Sequence, residues 1–244
     1  IVAEYSIKSD GSFDLVELSG LLRGNTKVLW LNYPHMPTGI PANKKAITQL
    51  IALANENDCI VINDNPYSTL LTDEYFSIFQ IDRAKENCLE LNSLSKSHNM
   101  SGWRVGWVSG KTELIQSILK VKSNMDSGMF LPIQKAAISA LNVSTDWIKQ
   151  LNLTYSERRK IVWEILDKLN CSYSKNNVGL FIWARIPHNF DNAEIWTNEI
   201  LYDAKVFITP GFIFGPSGNK FVRVSLCNSI EVLGEALKRI NNLK

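Results

Sequence analysis

Residues 91–107 read LNSLSKSHNMSGWRVGW. One lysine, Lys96, stands between two serines, and Arg104 follows eight residues later among two glycines and two tryptophans. A solvated lysine needs no such setting. A lysine used as a nucleophile does, because its amine must be held in a fixed turn. The apolar run Cys88–Leu91 just before it reads as a short buried strand, so the lysine turn sits at that strand's C-terminal end.

Apolar runs and helical patterns alternate on both sides of this stretch. Val28–Leu31 is a strand ending in the turn NYPHMPTG, and Cys59–Asn63 is a second strand. Between them, Ala46, Ile47, Leu50, Ile51 and Ala54 mark one face of a helix over residues 43–57. Val105–Ser109 is a fourth strand. Residues 93–104 are barely long enough for a parallel crossover, so this strand is expected antiparallel to its neighbour. The β-α-β order predicts an α/β domain: a mostly parallel sheet flanked by helices. Thr145–Asn170 reads as one long helix. Beyond it, Gly179–Ala184, Val206–Thr209 and Phe221–Ser225 read as short strands with helices between them, a smaller C-terminal α+β domain. The expected organisation is therefore residues 1–145, a connecting helix over 146–170, and a small domain over 171–244.

The 244 residues are 45% apolar and 20% charged, with a net charge of +2. That balance is ordinary for a globular protein and gives no electrostatic footprint for nucleic acid or an anionic membrane. No apolar run approaches the ~20 residues of a membrane span. Cys59, Cys88, Cys171 and Cys227 lie far apart and form no C-x-x-C pair, which reads as free thiols in a reducing, cytoplasmic setting. His35, His98 and His188 show no metal-ligand spacing. Ile1 is not a methionine and reads as lying mid-strand, so a longer parent chain is expected.

The polar constellations follow the C-terminal ends of three strands, the edge where open α/β sheets bind ligands. They are Asn32–Gly39, then Asp64-Asn65-Pro66-Tyr67, then Ser93–Arg104. Taken singly, each residue has an ordinary explanation: a turn-forming aspartate, a core tyrosine, a capping serine, a surface arginine. Their recurrence at successive strand ends favours a site. A lysine amine can hold an aldehyde cofactor as a Schiff base. A carboxylate can keep a pyridine nitrogen protonated, and serine with arginine can grip a phosphate.

On these motifs the chain resembles the fold type I, class I and II aminotransferases that use pyridoxal phosphate. SLSKSHNMSGWRVGW is similar to their lysine signature, NYPHMPTG to their NP-x-NPTG loop, DNPY to their D-x-x-Y motif and FVRVSLC to their C-terminal R-x-S strand. The resemblance spans essentially the whole chain and leans towards aspartate and diaminopimelate aminotransferases. It implies that Lys96 carries the cofactor and acts as general base and acid. It also implies that Asp64 pairs with the ring nitrogen and Tyr67 bonds the ring oxygen. Ser93 and Arg104 would bind the phosphate, and Arg223 the substrate α-carboxylate. The partners implied are an amino acid, a 2-oxo acid and a second subunit in a homodimer.

Two departures stand out. Met36 occupies the position where the family has an asparagine that contacts the ring oxygen, and a thioether cannot donate a hydrogen bond. The family also carries a segment ahead of the position of Ile1, with the first sheet strands, a ring-stacking aromatic and part of the phosphate cup. The large domain is therefore expected to be incomplete, and residues 1–244 alone to hold the cofactor weakly. Two other readings fit the same motifs: a C–S β-lyase on this fold, and the effector-sensing domain of a transcription regulator.

Overall fold

The three parallel strands form from short, largely apolar runs, Val28–Leu31, Ile60–Asp64 and Cys88–Ser93. The computed structural model describes residues 1–243. In chain order the elements are α1 (Leu15–Leu22), β1 (Val28–Leu31), α2 (Lys44–Glu56), β2 (Ile60–Asp64), α3 (Ala84–Asn87), β3 (Cys88–Ser93), α4 (Leu94–Ser97), β4 (Gly106–Gly110), α5 (Thr112–Met125), α6 (Leu131–Leu141), α7 (Thr145–Lys168), β5 (Ser172–Tyr173), β6 (Phe181–Arg185), α8 (Ala193–Ala204), β7 (Thr209–Pro210), β8 (Phe221–Ser225) and α9 (Ile230–Asn241). The chain divides into two units. One holds Ile1–His35 with Ile40–Ile148, the other Met36–Gly39 with Lys149 onward. The division falls inside α7, and four residues of the β1 loop belong to the second unit.

In the first unit the sheet order is β1-β2-β3-β4. β1 and β2 are parallel, with Leu31 opposite Asn63. β2 and β3 are parallel, with Asp64 opposite Leu91. β4 runs antiparallel to β3, pairing Ser93 with Gly106, as the short connection predicts. α2 covers this sheet with Ala46, Ile47, Leu50, Ile51 and Ala54, all buried, and Asn43 caps it by accepting from Ala46 N. Their core continues through Leu18, Leu29, Leu31, Tyr33, Val61 and Ile78. A second small cluster, Leu94, Met100 and Val105, packs against Ile133, Ala136, Ala137 and Ala140 on α6. Gly106 is required here by proximity, because a Cβ on it would come within 2.7 Å of the Asn92 carbonyl.

The second unit has an antiparallel sheet, β5-β6-β8-β7. Its helices contribute Val162, Ile165 and Leu166 from α7, Trp196 and Ile200 from α8, and Leu233 and Ile240 from α9. The Met36–Gly39 segment is tied to this unit. Val178 N donates to Gly39 O at 2.8 Å, and Asn177 Nδ2 donates to Thr38 O. Gly39 has φ +69°, and a Cβ there would approach Val178 O to 2.9 Å, so backbone conformation and space both call for glycine.

Two expectations change. Val206–Thr209 is not a strand: α8 ends on Lys205 in a left-handed conformation, and only Thr209 and Pro210 pair with β8. Pro210 then ends the ladder, having no N–H to extend it. The first six residues are irregular rather than strand, and the chain reaches β-geometry only in an isolated bridge between Ile7 and Phe13. No helix among the described residues is long and apolar enough to cross a membrane.

Candidate functional site

β2 and β3 end side by side, and their last residues open the two loops that carry Asp64, Tyr67, Ser93 and Lys96. Ser93 closes β3 in extended geometry and caps α4, its Oγ accepting from Ser95 N at 3.1 Å. The same Oγ donates to Val105 O at 3.2 Å. Leu94 is fully buried beneath the turn, so the one-turn helix is pinned from below and Lys96 is carried on it, partly buried. Trp147 Nε1 donates to Ser97 O at 3.0 Å and fixes the far side of the turn. His98 is next, its Nδ1 2.8 Å from Ser97 Oγ, and burial lowers its pKa against a partial opposing effect of the Ala140 backbone.

Arg104 ends this loop in the left-handed region, φ 54° and ψ 48°. Six other non-glycine residues among the described ones also have positive φ, so the conformation marks a tight turn. Its exposed guanidinium donates from Nη1 to Ser101 O at 2.7 Å, which folds the side chain back over its own turn.

Asp64 is half-buried at the end of β2, and desolvation raises its pKa. Its backbone is held on both sides: Asn32 Nδ2 donates to Asp64 O at 2.7 Å, and Asn65 N donates to Leu91 O at 2.8 Å. Tyr67 lies three residues on, partly buried in the turn closed by Leu70 N to Tyr67 O.

Sequence reasoning did not find the polar support beneath these loops. The Glu90 carboxylate, on β3, is 2% exposed and accepts from Asn63 Nδ2 (3.1 Å), Ser77 Oγ (2.9 Å) and Ile78 N (2.8 Å). Asn63 Oδ1 in turn accepts from Tyr33 N at 3.0 Å, where the β1 loop begins. Asn65 Nδ2 donates to Phe76 O, and Asn92 Nδ2 to Asn65 O. Hydrogen-bonded buried polar groups favour one arrangement, and here they tie three strand ends together, with Asn65 Oδ1 the atom of the group left without a partner. The one available signal was an acid inside an apolar strand, Cys-Leu-Glu-Leu, which must find donors when buried.

Arg223 lies in the second unit, at the middle of β8 opposite Trp183. Its Cζ is 4.2 Å from the ring centroid of Phe181 and 4.2 Å from that of Phe214. Its Nη1 approaches Met36 Sδ at 3.7 Å. On the same sheet, Trp183 stacks on Phe221 and meets Phe214 edge-on. The arginine is thus set in an aromatic wall. Such stacking uses the flat face of the guanidinium.

The lysine on its strand-end turn and the half-buried aspartate on the adjacent strand end belong to the first unit, and the stacked arginine to the second. Residues 1–240 match the model of the family Aminotransferase class I and II, and the chain belongs to that family. Among curated relatives, it is 35% identical over 242 residues to the LL-diaminopimelate aminotransferase of Aquifex aeolicus, covering 98% of this chain and 62% of that protein. It is 36% identical over 231 residues to the enzyme of the same name from Halothermothrix orenii, covering 94% and 59%. The chain therefore spans about 60% of the length of these relatives. Among solved structures, BacF from Bacillus subtilis superposes with a TM-score of 0.90 at 30% identity, covering 99% of this chain and 63% of that one. A probable N-succinyldiaminopimelate aminotransferase from Thermus thermophilus superposes with a TM-score of 0.89 at 31% identity, covering 98% and 64%. The fold expected from the motifs is the fold found, a mostly parallel sheet flanked by helices with a smaller antiparallel sheet.

Proposed function

We propose that this chain carries the lysine and the arginine of a pyridoxal-phosphate-dependent aminotransferase, which moves an amino group from an amino acid to a 2-oxo acid. The observation that carries the reading is Lys96 on its pinned one-turn helix at the end of β3, beside Asp64 at the end of the adjoining β2. The donor set fits the cofactor. Asp64 is a carboxylate whose burial is uncompensated enough to raise its pKa, and a protonated pyridine nitrogen is the kind of cation that reverses that cost. Ser93 and Arg104 supply a hydroxyl and a guanidinium for a phosphate at the same sheet edge.

When bound, pyridoxal phosphate supplies an aldehyde and an electron-withdrawing ring. Lys96 Nζ would hold the aldehyde carbon in the resting protein and, once displaced by the substrate amine, move a proton on and off the substrate Cα. Asp64 would keep the ring nitrogen charged, and Tyr67 would donate to the ring oxygen. Arg223 would hold the substrate carboxylate through a bidentate contact. The named relatives point to a substrate of the diaminopimelate kind, an amino acid with a further amino-acid or carboxylate group at its far end. A homodimer and a cytoplasmic setting accompany this reading.

Incubation with pyridoxal phosphate, borohydride reduction and peptide mass spectrometry tests it. The expected result is one pyridoxyl group, on Lys96. Modification spread over several surface lysines, with Lys96 unlabelled, would remove the assignment. Steady release of pyruvate and ammonia from a cysteine conjugate without any 2-oxo acid would shift the reaction from transfer to elimination.

A further inference from the structure

Among the described residues Glu90 is the one buried acid, and the proposed reaction gives it no part. Asn63 stands opposite it in the β2–β3 register and donates from Nδ2 to its Oε2 at 3.1 Å. Successive strand residues point to opposite faces. Glu90 and Asn63 therefore share one face of the sheet, and Asp64, Leu91 and Ser93 the other. The remaining donors to Glu90 come from the far end of the loop that begins after Asp64. Ser77 Oγ donates to Oε1 at 2.9 Å, and Ile78 N to Oε2 at 2.8 Å. The near end of that loop is tied to the same strand: Asn65 N donates to Leu91 O, and Asn92 Nδ2 to Asn65 O. Asn65 Nδ2 also draws the two ends together by donating to Phe76 O. Residues 65–77, Tyr67 among them, thus leave and rejoin the fold on Glu90, Leu91 and Asn92, directly ahead of Ser93 and the turn that carries Lys96.

We propose that Glu90 is a positioning residue of the site: its side chain locks the Tyr67 loop to β3 and so fixes Tyr67 relative to Lys96. This rests on the reading of Lys96 and Tyr67 as serving one cofactor. Glu90 acts from the opposite face of the sheet to Asp64 and works through the loop rather than by touching a ligand. A buried carboxylate has to be met by donors. Here they converge from β2 and from the loop end, so moving either would leave a buried polar group unpaired. The pattern calls for acceptors at set points. Oε2 takes two N–H donors, and Oε1 faces a hydroxyl, which can either donate or accept. A glutamine can meet the same pattern, with its oxygen at the Oε2 point and its amide N–H toward Ser77 Oγ. A methionine of similar length offers only a weak acceptor.

Fluorine NMR of the whole chain labelled with 3-fluorotyrosine reads the surroundings of Tyr67 without any cofactor. Its signal is identified by its loss in Tyr67→Phe. Glu90→Met should shift or broaden that signal and leave those of Tyr155, Tyr173 and Tyr202, all in the second unit, where they were. Glu90→Gln should return it to the parent position. An unmoved Tyr67 signal in Glu90→Met overturns the inference, and so does a Gln variant that behaves like Met. Should Glu90→Met fail to fold, Ser77→Ala decides: it removes one donor, and a Tyr67 signal that stays in place there overturns the inference. The second measurement joins Tyr67 to Lys96. Each variant is incubated with pyridoxal phosphate, and the visible absorbance is titrated with pH. Glu90→Met should move the midpoint in the direction that Tyr67→Phe moves it, by about half a pH unit or more, and Glu90→Gln should restore it. A midpoint that stays put while the fluorine signal moves confines Glu90 to the loop and overturns its role in the site. If borohydride reduction leaves Lys96 of the parent chain unlabelled, the functional reading falls instead, and the fluorine result alone decides whether Glu90 holds the Tyr67 loop.

Discussion

Arg104 and Arg223 are both read as anion-binding arginines, yet the chain positions them by opposite means. Arg104 is placed by backbone. It occupies a left-handed turn, lies exposed, and bonds a carbonyl three residues away. Arg223 is placed by neighbours. It sits in regular strand geometry, and its orientation comes from Phe181, Phe214 and Met36, brought from distant parts of the sequence. The difference teaches where each can be perturbed. A turn arginine is sensitive to changes in its own dihedral preference, whereas a stacked arginine is sensitive to changes in residues that never touch a ligand.

The largest expected effect belongs to the turn region but not to its arginine. On the proposed function Lys96→Ala should lower transamination by ~10³-fold or more, because it would remove both the cofactor's attachment and the proton carrier, while the melting temperature stays close to that of the parent chain. Residual turnover near the parent level would break the lysine assignment.

Arg223→Ala comes next. Loss of the fork should weaken carboxylate substrates by on the order of 2–5 kcal/mol, seen as a raised Michaelis constant, with cofactor affinity little changed. Equal losses of cofactor and substrate affinity would mean that Arg223 supports the fold rather than the ligand.

Acid should act on the lysine-bearing unit through His35, whose imidazole is pushed down to about 4 by burial from its ordinary 6.5. The neutral ring is the form that fits the fold, so its contribution is complete above pH 6.5 and is lost as pH falls through 4. The full loss is on the order of 3 kcal/mol. Urea unfolding at pH 7 and pH 4.5 checks this, and His35→Gln should flatten the fall across that window. Asp64 works in the opposite sense: its raised pKa costs stability as pH climbs above its unfolded value. Asp64→Asn should therefore raise the melting temperature at pH 7 while weakening cofactor binding.

Gly39→Ala should destabilise the second unit by about 1–3 kcal/mol, from its positive φ and the crowding against Val178 O. The smallest effect sharpens the opening contrast. Arg104→Lys should weaken the cofactor only about tenfold, since an ammonium still attracts phosphate as a point charge. Arg223→Lys should lose nearly as much as the alanine variant, because stacking and the planar fork both vanish.

Much of the first sheet was legible because its strands are short apolar runs closed by Pro, Gly and Asn. Val28–Leu31 forms as read, as does Phe221–Ser225 in the second sheet, and the length of residues 93–104 was enough to orient β4. The helix over α2 was legible from a single apolar stripe. Val206–Thr209 misled because an apolar run following a helix looks the same whether it pairs or merely leaves the cap. Residue types could point to Lys96, Asp64 and Arg223 as chemistry, but not to what holds them. Glu90 draws its donors from Asn63, Ser77 and Ile78, and Arg223 its rings from β6 and the turn ahead of β8. Such partners are joined only by the folded chain, and no local periodicity announces them.

The four thiols, read at first as a statement about compartment, have a practical consequence. Burial pushes Cys88 and Cys171 up to about 12 and raises Cys59 as well, so at neutral pH all three are both inaccessible and protonated. Cys227 alone among them is exposed, two residues past the end of β8 and four past Arg223. Alkylation requires a thiolate that a reagent can reach. A maleimide dye should therefore label the native protein once, at Cys227. That places a spectroscopic reporter beside the strand of Arg223, with the other three cysteines of this chain left in place.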